Sequence, residues 1–402
     1  MATATGRAGL RALIPKLRLL FLTMAIGLIA TGTMTAQAAA APAASAWQPA
    51  TAPDARGFSK FVPFGGGSAI GRSSVQTSST CLPCEYDHTL WTRQGGGADW
   101  RKVPLPAGGS TDVLAGTAPD DAWGFGRNDR GYFGAHHWNG SAWTDRTLPD
   151  VEILAARATS RGTVWAVGNY RGAGDATIPG AVARWDGAKW SLTQLPVQNH
   201  WTSLKALHVV SEKDIWAVGS TSERTLNGQS RPYAVHWDGS SWTEVTLPTV
   251  SALSGSANAV TTGADGEVWI GGIDRNPWAD NGSGPPKAFA LRRIGTEWKL
   301  TFVPAAQATG DESKDSLAVN ALAFHDGQLL AGLTAHESKK QALARWTGTV
   351  WEPVSGPGAG SFADVSALTS TADGTLWATG LHAPRYQYKG YAASLAPGAG
   401  VG

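Results

Sequence analysis

Two cysteines stand three residues apart in CLPC, residues 81–84, and the chain of 402 has no others. That spacing serves a local disulfide, a redox pair or part of a zinc site. The redox reading needs a helix after the motif, but EYDHTLW leads into a strand. Zinc needs more ligands, and only His88 is near. A Cys81–Cys84 disulfide is the expectation, in keeping with the export signal described below. DRNPWADNG (274–282) gathers carboxylates and amides on one loop, but its spacing is not that of an EF-hand and it lacks a bidentate Glu. It is read as a solvated loop, and neither metal nor cofactor is expected. Glycoside hydrolysis needs paired carboxylates, whereas the acids here lie mostly in turns. No Ser-His-Asp arrangement, P-loop or nucleotide fingerprint occurs. The remaining candidates are polar–aromatic: Trp201 and Trp278, with Tyr170, Arg171, His200, Asp274, Arg275, Tyr386 and Tyr388. Aromatic faces flanked by Asp and Arg suit the apolar faces and hydroxyl edges of sugars.

The elements that carry these residues are repeats. VHWDGSSWTEVTLP (235–248) recurs as AHHWNGSAWTDRTLP (135–149), VARWDGAKWSLTQLP (182–196), LRRIGTEWKLTFVP (291–304) and ARWTGTVWEPVSGP (344–357), with a longer-looped copy at 90–106. A second element precedes most copies: DDAWGFG (120–126), GTVWAVG (162–168), KDIWAVG (213–219), GEVWIGG (266–272), GQLLAGL (327–333) and, last in the chain, GTLWATG (374–380). Its Trp or Leu recurs at spacings of 42, 51, 53, 61 and 47 residues. Short strands with a period near that of a propeller blade predict four strands per unit, a to d, from axis to rim. Sixteen of the 19 tryptophans fall in three columns on strands b, c and d, leaving Trp47, Trp201 and Trp278 outside them. The columns are read as blade packing, and Asp-Gly or Asn-Gly as the positive-φ turn of a hairpin.

DGEVWIGG (265–272) resembles the Asp-Gly, apolar strand and diglycine of kelch repeats. WDGSSWTEVTLP resembles the kelch segment in which an aromatic–Asp pair is followed by Trp and Pro, and its turn is similar to the Asp-box of BNR repeats. The resemblance covers residues 58–396 and implies an all-β propeller, not an activity. Most copies have one glycine after strand b instead of two, and the Gly-His pair of WD40 repeats is missing.

Five complete blades are expected at 113–148, 151–196, 203–248, 257–304 and 317–354, and a sixth at 363–396 that lacks strand d. Residues 58–64, similar to KLTFVPA (299–305), are expected to supply that strand and close the ring. Residues 68–105 then form a degenerate further blade. The count is seven, with six as the alternative.

Arg7, Arg11, Lys16 and Arg18 precede the apolar run Leu19–Ala30, and small residues follow at Ala36-Gln37-Ala38 and Ala44-Ser45-Ala46. Residues 1–38 read as a secretory signal peptide, cleaved near Ala38 or Ala46. Residues 39–57 read as a disordered Ala/Pro-rich linker, 58–396 as one propeller domain and 397–402 as a flexible tail. Residues 1–38 hold four of the 33 basic side chains and none of the 31 acidic ones, so the mature chain has 29 against 31. No basic run remains, which argues against nucleic acid and, after cleavage, against a membrane partner. The Ala- and Gly-rich, Lys-poor composition suggests a high-GC bacterium. Long b–c and d–a loops on one face are the natural binding surface of a rigid scaffold. The sequence therefore points to a secreted, monomeric, non-catalytic propeller holding a glycan or an extracellular protein there. The alternative is a glycoside hydrolase or polysaccharide lyase acting at the channel mouth.

Overall fold

The computed structural model describes residues 46–401 other than 55, 78–85, 108–110, 128–132, 149, 172–178, 196–199, 224–228, 251–253, 276–285, 305–316, 336–341, 358–363 and 383–388. Among these residues lie 28 strands and no helix. They form seven four-stranded antiparallel sheets. Strand β1 is Gln48–Ala50. Blade 1 is β2–β5 (Phe58–Gly65, Ser68–Gln76, Tyr86–Arg93, Arg101–Val103) and blade 2 is β6–β9 (Val113–Ala118, Asp121–Arg127, Phe133–Trp138, Trp143–Asp145). Blade 3 is β10–β13 (Val151–Ser160, Thr163–Tyr170, Gly180–Trp185, Trp190–Gln194). Blade 4 is β14–β17 (His200–Ser211, Asp214–Glu223, Ser230–Trp237, Trp242–Glu244). Blade 5 is β18–β21 (Gly255–Thr262, Val268–Asp274, Lys287–Ile294, Glu297–Phe302). Blade 6 is β22–β25 (Leu317–His325, Gln328–Ala335, Leu343–Trp346, Trp351–Pro353). Blade 7 takes β26–β28 (Ala367–Ser370, Leu376–His382, Lys389–Leu395) and completes itself with β1. The innermost strands touch their neighbours around the ring, β2 against β6 on one side and β27 and β28 on the other. The chain is thus a seven-bladed propeller closed by an N-terminal strand.

The closing strand is not the expected one. Residues 58–64 do not complete the last blade; they form β2, the innermost strand of blade 1, paired with β3 through a hairpin at Gly65–Gly67. All three glycines have positive φ (88°, 58° and 74°), so the chain reverses locally and β2 takes its nearest partner. Closure falls instead to β1, inside the segment read as linker, with Gln48, Pro49 and Ala50 opposite Ser394, Ala393 and Ala392. Trp47 explains the choice. It is buried with the blade 5–7 core, and its indole N–H donates to the Ser355 carbonyl at 3.1 Å. Trp143 and Trp190 donate in the same way to the carbonyls of Pro104 and Arg146, just past strand d of the preceding blade. Trp47 is therefore the strand-d tryptophan of blade 7, and AWQPA (46–50) repeats VWEPV (350–354). The segment read as a flexible tail is also docked: Val401 is buried in the same core, and the Gly398 N–H donates to Asp326 at 2.7 Å.

The tryptophan columns are blade packing. Strand-c and strand-d tryptophans face each other across the hairpin, as Trp185↔Trp190 and Trp237↔Trp242. The strand-b tryptophan of the preceding blade packs against the pair. Trp123 lies 5.8 and 5.7 Å from Trp185 and Trp190, and Trp165 lies 5.9 and 6.1 Å from Trp237 and Trp242. Such offset and edge contacts add to area burial. Central strands are covered on both faces, so all seven residues of β19 are buried.

The Asp-Gly turn is likewise architectural. Asp238 Oδ1 accepts the N–H groups of Ser240 and Ser241 at 2.8 and 2.9 Å, and Gly239 takes a φ of 95°. The glycine ending the strand-b motif of blades 3, 4, 5 and 7 has another cause. A Cβ on Gly168, Gly219, Gly272 or Gly380 would sit 1.8, 1.8, 2.0 or 1.7 Å from the carbonyl oxygen of Glu152, Ser203, Ser256 or Asp364. In blades 3, 4 and 5 the innermost strand bulges right there, at Leu154, Lys205 and Asn258, pressing its backbone onto strand b.

Candidate functional site

Antiparallel blades put all b–c and d–a connections on one face of the ring (the loop face) and all a–b and c–d turns on the other (the turn face). The expected site residues belong to the loop face. Trp201, the second residue of β14, is 51% exposed. Arg275 follows β19, is exposed, and its backbone N–H donates to Ser254 at 2.7 Å. It lies close enough to Lys205 to help depress the lysine pKa, after burial as the larger cause. Trp201 and Arg275 therefore lie at the loop-face ends of blades 4 and 5, while Lys205 sits further along β14. His200 opens β14 opposite Glu223. Asp274 ends β19, buried, and its Oδ1 has no hydrogen-bond partner among the described residues. Tyr170 and Arg171 go elsewhere. Tyr170 is half-buried at the end of β11, and Arg171 is committed to Glu152 at 2.5 Å, beside Asn169 and Arg127. Glu152, shared by Arg171 and Arg127, thus links blades 2 and 3. Trp278, Tyr386, Tyr388, Cys81 and Cys84 lie outside the described residues.

The channel holds what the sequence reading missed. The innermost strands read in the sequence as runs of small residues, Ala, Val, Ser and Leu. Instead, the bulge residues of blades 4 to 6 form a polar belt. Lys205 Nζ donates to Ser256 Oγ at 2.8 Å, Ser256 Oγ meets Asn258 Oδ1 at 2.9 Å, and Asn258 Nδ2 reaches Asn320 Oδ1 at 3.4 Å. A bulge leaves its extra residue unpaired in the ladder and re-aims its side chain, which brings these groups together.

Further along, toward the turn face, innermost strands of blades 3 to 7 enclose a cavity of about 740 Å³. Arg157 and His208 line it. They occupy one register column, opposite Trp165 and Trp216, where blades 2, 5 and 7 have Ala115, Thr261 and Thr369. Their ionisable types in an otherwise small or uncharged column were the available signal. His208 Nε2 meets Thr262 Oγ1 at 3.0 Å. Burial first, then the Arg157 charge, lowers the His208 pKa to about 4, so the ring is neutral at pH 7. Burial also lowers the Arg157 pKa, with no acid opposing it.

No protein-family model matches the chain, and no curated protein matches it in sequence. Solved structures do match in fold. YCF48 bound to D1 peptide is 13% identical, with a TM-score of 0.52 over 89% of this chain and 99% of that one. The β-propeller domain of the Trilobed protease from Pyrococcus furiosus is 11% identical, with a TM-score of 0.52 over 84% and 93%. That domain has an open velcro topology, whereas β1 closes this ring. A PL25 ulvanlyase is 9% identical, with a TM-score of 0.48 over 88% and 95%. At these identities the likeness is one of fold.

Proposed function

We propose that this chain is a secreted, non-catalytic propeller of kelch-like repeats that binds a glycan through its loop face. The observation that carries the reading is Trp201. The strand-column tryptophans pack between blades, while Trp201 turns half its surface to water at the loop-face end of blade 4. An exposed indole offers an apolar shelf for a sugar ring. A protein segment is the second reading, favoured by the fold shared with YCF48, whose structure holds a D1 peptide.

Co-sedimentation with peptidoglycan, chitin and cellulose tests this, beside Trp201→Ala and with released sugar assayed in the supernatant. Binding that falls at least tenfold in the folded variant, with no sugar released, is the expected result. Release of sugar would replace the binding module with the carbohydrate-active enzyme of the alternative reading. Absence of binding to all three polymers would pass the loop face to a protein partner.

A further inference from the structure

The turn-face cavity has features that neither packing nor the loop-face reading uses. Arg157 is ringed by innermost strands, yet its side chain stands open to the lumen. Among the described residues it pairs with no carboxylate, and its only hydrogen bond is from Nη1 to its neighbour's carbonyl, Ala156, at 3.2 Å. The guanidinium has five donors in a planar fork, so most remain unused. Three other strand arginines are matched to carboxylates, Arg72 with Asp112 at 3.0 Å, Arg184 with Glu212 at 3.1 Å and Arg345 with Glu352 at 2.9 Å, whereas Arg157, like Arg293, is not among the described residues. Glu212 also lines the cavity, but Arg184 holds it. The guanidinium is exposed to the lumen with most of its donors open, where an anion entering the channel can reach it.

The rest of the lining narrows what that is. His208 is neutral and bonded to Thr262, so the cavity offers one full positive charge. Asp214, the other charge acting on His208, is engaged by His236 at 2.8 Å. One guanidinium balances a single negative charge and leaves a dianion half-neutralised. Its flat fork matches the two oxygens of a carboxylate. Leu207, Val260, Leu322 and Leu368 give a narrow apolar share of the lining, being 4, 7, 7 and 6% exposed, and a volume of this size falls in the range of small-ligand sites.

We propose that this cavity binds an organic monoanion, a carboxylate with an apolar body, held by the Arg157 fork and seated against the leucines. A free organic acid and the C-terminal carboxylate of a peptide share this chemistry. The site is independent of Trp201 and opens on the opposite face.

Titration calorimetry with hexanoate, hexanamide, inorganic phosphate, and the peptide acetyl-Ala-Ala-Leu as free acid and as amide provides the test. NMR of the His208 ring is followed in parallel. Hexanoate or the free-acid peptide should bind at least tenfold more tightly than its amide and than phosphate, and whichever acid is tighter identifies the source. Arg157→Gln should lose at least tenfold of that affinity while melting close to the wild-type temperature, because the side chain is exposed and its hydrogen bond is only to its neighbour's carbonyl. Bound carboxylate should raise the His208 pKa in the wild type and leave it unmoved in Arg157→Gln. The proposal fails if no acid shifts the His208 resonances, if acid and amide bind alike, or if Arg157→Gln binds as the wild type does. A large drop in melting temperature in Arg157→Gln would also overturn it, by making Arg157 a structural brace.

Discussion

Replacing Trp47 with alanine should open the ring at its seam. The indole is 7% exposed within a core cluster drawn from blades 5 to 7, and it donates to the Ser355 carbonyl at 3.1 Å. Truncating a buried tryptophan to alanine costs about 3–5 kcal/mol through lost transfer energy and the cavity left behind. An unpaired Ser355 carbonyl adds about 1 kcal/mol. Strand β1 has only three paired residues to resist the loss, so the local structure cannot redistribute it. A total near 4–5 kcal/mol, with a urea slope of about 3 kcal/mol/M for a domain of this size, shifts the unfolding midpoint down by roughly 1.5 M. The assay is urea unfolding by tryptophan fluorescence and far-UV circular dichroism. Trp47→Phe should keep most of the packing and lose only the hydrogen bond, about 1 kcal/mol. Trp201→Ala, at an exposed position, should change stability by less than about 0.5 kcal/mol. If Trp47→Ala unfolds at the midpoint of Trp201→Ala, then β1 does not hold the ring and the assignment of Trp47 to the strand-d column is wrong.

Two further outcomes follow from the channel and the bulges. The His208 pKa of about 4 lies below the 6.5 of a free imidazole because burial and Arg157 disfavour its charged form, against the weaker pull of Asp214. The unfolded chain therefore takes up a proton that the folded one refuses. This contribution is intact above pH 6.5 and lost as pH falls toward 4, in total roughly 3 kcal/mol. His208→Gln should flatten that segment of the stability–pH curve, and an unchanged curve would refute the assignment. Gly219→Ala places a Cβ 1.8 Å from the Ser203 carbonyl oxygen, which no rotamer relieves, and should destabilise by at least about 2 kcal/mol. At Gly187 nothing lies within 4 Å of the added Cβ and only the φ of 101° opposes it. Gly187→Ala should therefore cost less, about 1 kcal/mol, by the same unfolding assay.

Much of the architecture was legible because blade contacts repeat. A tryptophan opposite another across a two-residue turn, and a third one blade earlier, must recur in step along the chain. Trp165, Trp237 and Trp242 could thus be assigned to packing before any coordinates. The turn asparagines and aspartates were legible for the same reason, since their partners are two and three residues away. Loop-face residues were placed on the correct face but not in correct company. Arg171 looked like a binding group, and only the fold shows that Glu152, 19 residues earlier, holds it.

By itself the sequence determined the class of fold, the turn chemistry and the interblade tryptophans, all of which rest on short-range or strictly periodic contacts. The tertiary structure alone decided which strand closes the ring and what lines the channel. Closure joins residues 48–50 to 392–394, and the cue, Trp47-Gln48-Pro49, is a single copy set apart from its own blade. Arg157, His208 and Thr262 come from three successive blades, some 50 residues apart. Each alone is one polar residue among several in its strand; they become a site because seven sheets wrapped around one axis bring their innermost edges together.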